Sequence, residues 1–155
     1  MNQKSKNIGL SGVGNDFKHQ LIISHILYEL MVKCKMKTYK NYVPFPEFSI
    51  KHNSKDYVPD LSVWEVKQQK LLHPIIVIEV CWPHQIKDEI DKINKMFTNR
   101  LSITEGFIID KENLTIKRIE RTLIGKISTP KDISQSHILK LDLAKVMNSV
   151  PDFTL

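Results

Sequence analysis

The spacing of hydrophobic side chains predicts a long amphipathic helix near the N-terminus. From residue 15 or 16, either of which is a good N-cap, apolar side chains recur at intervals of three and four residues as far as residue 35. These side chains are Phe17, Leu21, Ile22, Ile26, Leu30 and Met31. Residues 1–14 are polar and contain glycines, so we expect a flexible N-terminal arm there and a single domain over residues 15–155.

The middle of the chain has the pattern of β-strands. Short runs rich in β-branched and aromatic residues alternate with prolines, and a helical pattern follows them over residues 85–98. The predicted strands cover residues 39–43, 48–50, 61–66, 75–80, 106–110 and 114–119, of which the last two form a hairpin. A further helix is predicted over residues 133–147. This order of elements predicts a mixed α/β domain with its sheet in the middle of the chain.

Composition and charge narrow the class of function. The chain has 155 residues, 41% of them hydrophobic, and its formal net charge of +6 favours a polyanionic partner such as nucleic acid. The charge is +5 over residues 1–58, −2 over residues 59–110 and +3 over residues 111–155, although ordinary surface variation also gives such differences. The flanking side chains that we expect to contact phosphates are Lys33, Lys35, Lys37, Lys40, Lys117, Arg118 and Arg121.

The cysteines and the apolar segments indicate a cytoplasmic protein. Cys34 and Cys81 are too few for a disulfide framework, and neither has a Cys or His at zinc-ligand spacing. The N-terminus lacks the apolar segment of a signal peptide, and no run approaches the ~18 apolar residues that span a bilayer. We therefore expect a reducing compartment and no membrane partner.

Two acidic residues stand where their carboxylates could meet. Glu79 interrupts the apolar run from Ile75 to Val80, which is typical of a strand buried on both faces. Because an unpaired buried carboxylate is costly, a carboxyl group in such a strand is expected to lie at the strand end, to be protonated, or to be neutralised by a cation. Asp60 follows Pro59 at the start of the preceding predicted strand, where it could also simply cap a turn. If the two strands are neighbours, both carboxylates converge and form a site suited to Mg²⁺ or Mn²⁺.

An ordered series of short motifs resembles a known family. The motifs are Lys18-His19-Gln20 in the first helix, Val58-Pro59-Asp60-Leu61, Pro74 followed by Val77-Ile78-Glu79-Val80, Asp88 with Lys92 on the next helix, and the segment from Glu105 to Asp110. The series covers residues 17–120 and is similar to the Uma2-like group of the PD-(D/E)XK nuclease superfamily. That group belongs to the restriction-endonuclease-like fold, a mixed β-sheet core flanked by helices.

The resemblance implies a metal-dependent endonuclease that hydrolyses phosphodiester bonds in nucleic acid, with DNA as the expected substrate and Mg²⁺ or Mn²⁺ as the cofactor. It implies that Asp60 and Glu79 are metal ligands and that a lysine four residues after an acid completes the site. Lys92 after Asp88 is the first choice for that lysine, and Lys95 is the second. His19 is implied as an auxiliary residue. Because concerted cutting of two strands needs two active sites, a homodimer is expected.

The sequence also departs from the family pattern. Cys81 stands where the superfamily usually has its lysine, and Trp82-Pro83-His84-Gln85 replaces the usual loop after the acidic strand. Without the resemblance, His19 is an ordinary surface or packing residue, and the two lysines are ordinary solvated helix residues. These departures leave open an alternative function, a catalytically degenerate nuclease-fold module that binds nucleic acid or a protein partner without cleavage.

Overall fold

A mixed five-stranded β-sheet with helices on both faces organises residues 16–151, which are the residues that the structure, a computed structural model, describes. The helices are α1 (Phe17–Lys35), α2 (Ile86–Asn99) and α3 (Leu143–Asn148). The strands are β1 (Tyr42–Pro46), β2 (Ile50–His52), β3 (Lys55–Tyr57), β4 (Leu61–Lys67), β5 (Lys70–Cys81), β6 (Glu105–Asp110) and β7 (Ile116–Glu120). Strands β2 and β3 form a separate hairpin.

Strand β5 lies in the middle of the main sheet, whose order is β1-β4-β5-β6-β7. It runs antiparallel to β4 and parallel to β6, and the remaining neighbours are antiparallel. The register pairs Leu61 with Ile78 and Val80 with Ile109. The end of β5 therefore lies beside the start of β4, which brings the residue before β4 close to the last residues of β5.

The two faces of the sheet carry separate hydrophobic cores. Helices α1 and α3 pack on the face that holds Ile76, Ile78 and Val80. Helix α2 and the β2–β3 hairpin pack on the opposite face, which holds Val77 and Cys81. Because successive strand residues point to opposite faces, Glu79 points to the same face as Val77 and Cys81. The acidic residue of β5 is therefore on the side of the sheet covered by α2.

The structure confirms the predicted fold class and most of the predicted elements. Helix α1 starts after Asp16, whose side chain accepts a hydrogen bond from the backbone N–H of His19. The first strand is displaced toward the C-terminus because residues 37–39 form a 3₁₀ turn. Strand β1 contains Pro44 and Pro46, which an edge strand tolerates because one of its sides needs no hydrogen-bonded partner. Strand β3 was not predicted.

The predicted helix over residues 133–147 is wrong for most of its length. Only Leu143–Asn148 is helical, and the preceding segment is irregular. The buried carboxylate of Glu105 holds this segment in its irregular conformation, because it accepts hydrogen bonds from Ser136 Oγ and from the backbone N–H of His137. Asp142 then caps α3 by accepting from the backbone N–H of Ala144. Long-range hydrogen bonds thus override the local hydrophobic spacing.

Two other expectations concern the ends of the chain and the membrane. The predicted N-terminal arm, residues 1–14, lies outside the described residues. The single domain over residues 15–155 stays a prediction. Within residues 16–151, none of the helices has the length and apolar character needed to cross a bilayer.

Candidate metal and catalytic site

The antiparallel pairing of β4 and β5 brings Asp60 next to Glu79. The backbone N–H of Val80 donates to Asp60 Oδ2 over 2.7 Å, and the backbone N–H of Asp60 points to Glu79 Oε2 at 3.4 Å. The backbone N–H of Glu47 donates to the carbonyl oxygen of Asp60 over 3.0 Å and holds this residue in place from β1. The structure thus has the geometry expected if the two strands are neighbours.

Helix α2 contributes a lysine and a third carboxylate. Lys92 Nζ lies 2.7 Å from Glu79 Oε1 and 3.7 Å from Glu89 Oε2. The Glu79 side chain is only 2% exposed, whereas Lys92 and Glu89 are 33% and 22% exposed. Residues three apart on a helix share a face, so Glu89 and Lys92 reach toward the sheet together. The site is therefore closed at Glu79 and open to solvent at Lys92.

Helix α1 contributes His19 from the opposite face of the sheet. The ring is almost fully buried, and its Nε2 lies 3.4 Å from Asp60 Oδ1, which is too far for a good hydrogen bond. Within residues 16–151, neither ring nitrogen has a hydrogen-bond partner. A buried imidazole without partners is costly, which marks this position as unusual. The structure thus brings Asp60, Glu79, Lys92 and His19 together at one end of the paired strands β4 and β5.

Burial and neighbouring charges perturb the ionisation of this cluster. Burial, reinforced by Asp60 and Glu89, raises the pKa of Glu79 to about 8, although Lys92 acts in the opposite direction. Burial also raises the pKa of Glu89 above its ordinary value. For Lys92, burial favours the neutral amine, but the carboxylates of Glu79, Glu89 and Asp60 outweigh it and raise the pKa. Lys92 is therefore an ammonium group at neutral pH.

The donor set fits a divalent cation. With every group ionised, three carboxylates face one ammonium, so the cluster carries a net charge of −2. Mg²⁺ typically takes one or two carboxylates and completes its shell with water and substrate phosphate oxygens, and Asp60 and Glu79 supply two. Within residues 16–151, no group of three or more His, Cys, Asp or Glu residues forms a ready-made metal cage. The site thus suits a hard cation that retains open positions.

The sequence did not decide between Lys92 and Lys95, and in the structure only Lys92 contacts Glu79 among these two lysines. Lys95 is exposed and lies one helical turn beyond Lys92, outside the cluster. Asp88 is exposed as well, so the acid that accompanies Lys92 is Glu89 rather than Asp88. Sequence reasoning missed Glu89 as a member of the site. Its spacing of three residues from Lys92 was the available signal.

Two of the seven flanking residues that were expected to contact phosphates make hydrogen bonds inside the fold instead, and the expectation for Lys33, Lys35, Lys37, Lys40 and Lys117 stays a prediction. Arg118 is buried and donates to the carbonyl oxygen of Gln135, and the guanidinium of Arg121 donates to the carbonyl oxygens of Ile103 and Phe97. These two guanidinium groups therefore hold the fold together. Lys33 and Lys35 lie at the end of α1, which is roughly 20 Å along the helix from His19. Exposed basic residues on the elements that carry the site include Lys18, which precedes His19, and His84 and Lys87, which lie between Cys81 and Lys92 in the sequence.

Comparisons with known proteins support the fold. One solved structure with a similar fold is described as "a putative nuclease belonging to DUF820" from Anabaena variabilis. It aligns with a TM-score of 0.61 over 86% of this chain and 82% of its own, at 18% sequence identity. DUF820 is the Uma2 family, so the resemblance noted from the sequence is confirmed at the level of the fold. No family model and no curated protein sequence matches the chain.

Proposed function

We propose that this protein is a divalent-metal-dependent endonuclease that hydrolyses phosphodiester bonds in nucleic acid, with DNA as the substrate. The observation that carries the proposal is the meeting of Asp60, Glu79 and Lys92 at one edge of the sheet, with Lys92 Nζ only 2.7 Å from a buried carboxylate. Strongly perturbed carboxylates beside a fixed cation are typical of functional sites. The fold shared with a protein described as a nuclease is consistent with this activity.

In the proposed site, Asp60 and Glu79 would hold Mg²⁺ or Mn²⁺. The ion, when bound, supplies Lewis-acid polarisation of the phosphate and a more acidic water. Glu79 is the less accessible of the two carboxylates, so Asp60 faces the substrate side.

We propose an electrostatic role for Lys92 rather than that of a base, because it lies against carboxylates that raise its pKa. An ammonium group that is held by neighbouring carboxylates gives up its proton poorly, whereas it donates hydrogen bonds well to a phosphate oxygen. Lys92 is one-third exposed, so a phosphate can reach it. His19 is an auxiliary residue that faces Asp60 Oδ1. Lys95 has no part in this proposal.

The exposed basic residues around the site are consistent with nucleic acid as the substrate. Lys18 lies in the first turn of α1, His84 follows β5, and Lys87 lies in the first turn of α2. Because Lys18 precedes His19 and Lys87 belongs to the helix that carries Lys92, we propose that both lysines contact the nucleic-acid backbone beside the site. About three phosphate contacts of this kind would weaken duplex binding by roughly 500-fold over a tenfold rise in salt.

Cleavage assays with matched variants test the proposal. Supercoiled plasmid and single-stranded DNA are incubated with Mg²⁺ or Mn²⁺ and with the wild type, Asp60→Asn, Glu79→Gln, Lys92→Met or Lys95→Met. We expect the first three substitutions to lower the rate on the order of 100-fold or more. Lys95→Met is the matched control on the same helix and should retain the wild-type rate.

The same assays distinguish cleavage from binding alone. Equal trace cleavage by the wild type and all variants refutes the enzymatic proposal. Salt-sensitive DNA binding without cleavage supports the degenerate binding module instead, for which Cys81 at the usual lysine position is the favouring observation. The homodimer and the cytoplasmic location expected from the sequence stay predictions. Size-exclusion chromatography with light scattering tests the former.

A further inference from the structure

A fully buried lysine outside the proposed catalytic cluster connects three elements of the fold. Lys111 directly follows β6, and its side chain is 0% exposed. Its Nζ lies 2.7 Å from Asp16 Oδ2 and 4.0 Å from the centre of the Trp82 ring, and its backbone N–H donates to the carbonyl oxygen of Cys81. Burying a cation is costly unless it is well compensated. A carboxylate and an aromatic face provide that compensation here.

The carboxylate that compensates Lys111 is also the N-cap of α1. Asp16 Oδ1 accepts the backbone N–H of His19 over 2.8 Å, while Oδ2 binds Lys111. Burial opposes ionisation of Asp16, but the hydrogen bonds from Lys111 and His19 outweigh it, so the pKa of Asp16 is lowered. One carboxylate thus joins the end of β6 to the first turn of α1.

The position of His19 depends on that first turn. The first turn of a helix lacks internal partners for its N–H groups and frays most readily. The ring nitrogens of His19 have no hydrogen-bond partner among residues 16–151, so the backbone has to hold the ring opposite Asp60. Loosening the turn would therefore move His19 away from Asp60 without disturbing Glu79 or Lys92, which belong to other elements.

We infer that Lys111 is a positioning residue that acts through Asp16 to hold the first turn of α1, and hence His19, against Asp60. The inference rests on the proposed function, because it assigns Lys111 a part in the same site. It also accounts for one departure from the Uma2-like pattern, since Trp82 provides the aromatic face on which Lys111 lies. A buried lysine could otherwise serve stability alone, and the two roles predict different kinetics.

A double-mutant cycle tests the inference by enzyme kinetics. Lys111→Met is made in the wild type and in His19→Ala, and kcat and KM for DNA cleavage are measured. We expect a fall in kcat on the order of tenfold in the wild type, with KM nearly unchanged, and no further fall in His19→Ala. An equal fractional loss in both backgrounds overturns the inference. Lys131→Met is the matched control, because Lys131 forms a partly exposed ion pair with Glu120, and it should leave kcat unchanged.

Two further variants cover the case in which Lys111→Met alone does not fold. Asp16→Asn keeps a capping oxygen but removes the ion pair, and Asp16→Asn with Lys111→Met removes the buried ammonium together with its partly exposed carboxylate partner, so that no buried charge is left unpaired. Both should show the same loss of kcat and the same dependence on His19. Wild-type kcat in the folded double variant overturns the inference.

Amide hydrogen exchange tests the inference without any cleavage. In Lys111→Met or the double variant, the N–H groups of His19 and Gln20, which are bonded to Asp16, should exchange faster than in the wild type. Amides of α2 should be unchanged. Unchanged exchange at His19 and Gln20 overturns the inference whatever the nuclease assay shows. Faster exchange in a protein that cuts no DNA instead refutes the proposed function and leaves the structural link intact.

Discussion

Replacing Glu79 with glutamine should change how the stability of the protein depends on pH. Burial raises the pKa of Glu79 from its ordinary value of 4.5 to about 8, so the folded protein holds a proton at this carboxyl group that the unfolded chain releases. A group of this kind contributes its full stabilisation below pH 4.5, and that contribution is lost as the pH rises to about 8. Glutamine resembles the protonated carboxyl group and does not titrate, so the stability of the variant should not fall over this pH range.

The size of the effect follows from the width of the pH interval. One extra proton bound by the folded state lowers the folding equilibrium constant about tenfold for each pH unit. Between 4.5 and about 8 this amounts to on the order of 5 kcal/mol, an upper bound because solvent and Lys92 respond to the charge. Glu89 acts in the same direction, but it is partly exposed and contributes less. The other resolved shifts act outside this interval: those of Asp16, Asp110 and Asp142 affect stability only at lower pH, and those of Lys92, Cys34 and Cys81 only at higher pH.

Urea unfolding in metal-free buffer between about pH 5 and pH 8 measures the effect. The wild type should lose stability steadily over this range, whereas Glu79→Gln should stay nearly level and exceed the wild type at the upper end. Glu112→Gln is the matched control, because Glu112 is exposed, and it should follow the wild type. Parallel curves for the wild type and Glu79→Gln would show that the burial argument is wrong. Added Mg²⁺ should stabilise the wild type more at high pH than at low pH, because it binds the ionised carboxylate.

Two further predictions concern packing and thiol chemistry. Gly106→Ala should lower the free energy of unfolding by about 1–3 kcal/mol, because the new Cβ would lie 2.7 Å from Ile93 Cγ2. Urea unfolding measures this change, and an unchanged midpoint would contradict the close approach of α2 to β6. Burial raises the pKa of Cys34 to about 11 and that of Cys81 to about 12, so a thiol reagent at neutral pH should label neither in the folded protein and both in urea. Rapid labelling of folded Cys81 would contradict the burial of its thiol.

The proximity of Asp60 and Glu79 could be anticipated from the sequence because the two predicted strands that carry them are consecutive in the chain. A turn of two residues joins β4 to β5, so these strands have to be antiparallel neighbours. The start of β4 then lies beside the end of β5, which places Asp60 next to Glu79. The apolar run around Glu79 indicated in addition that its carboxylate is buried. The sequence therefore predicted this half of the site on the condition that the two strands are neighbours, and the structure meets that condition.

The site residues on α2 were harder to predict from the sequence, because the direction of their side chains depends on how the helix is rotated on the sheet. The spacing of acids and lysines allowed either Lys92 or Lys95. Packing of Ile93, Met96 and Phe97 against the sheet fixes the rotation and turns Lys92 and Glu89 toward β5. That packing includes Val77 of β5 and Ile108 of β6, which are distant in the sequence. Local periodicity therefore identified the helix but not the member of each pair that faces the site.

Charge along the sequence was a poor guide to charge on the surface. The basic segment around β7 contains Arg118 and Arg121, and the fold uses both to satisfy backbone carbonyl groups. Arginine donates up to five hydrogen bonds in a fixed geometry, which makes it suitable for such internal links. Lys18 and Lys87, which belong to no basic run, are exposed on the helices that carry His19 and Lys92. Nucleic acid as the partner class stays a prediction, and the structure removes Arg118 and Arg121 from the residues assigned to it.

The cost of Glu79 to stability and its proposed function have the same physical origin. Burial makes the ionised form of Glu79 costly, the charges of Asp60 and Glu89 add to that cost, and Lys92 relieves only part of it, so Glu79 binds either a proton or a second cation. A proton and a divalent ion therefore compete for the same carboxylate, and the affinity for the ion should rise with pH until Glu79 is ionised without it. A purely structural carboxylate would gain nothing from this arrangement. This competition between a proton and a divalent ion at a buried carboxylate is the physical basis of the proposed metal site.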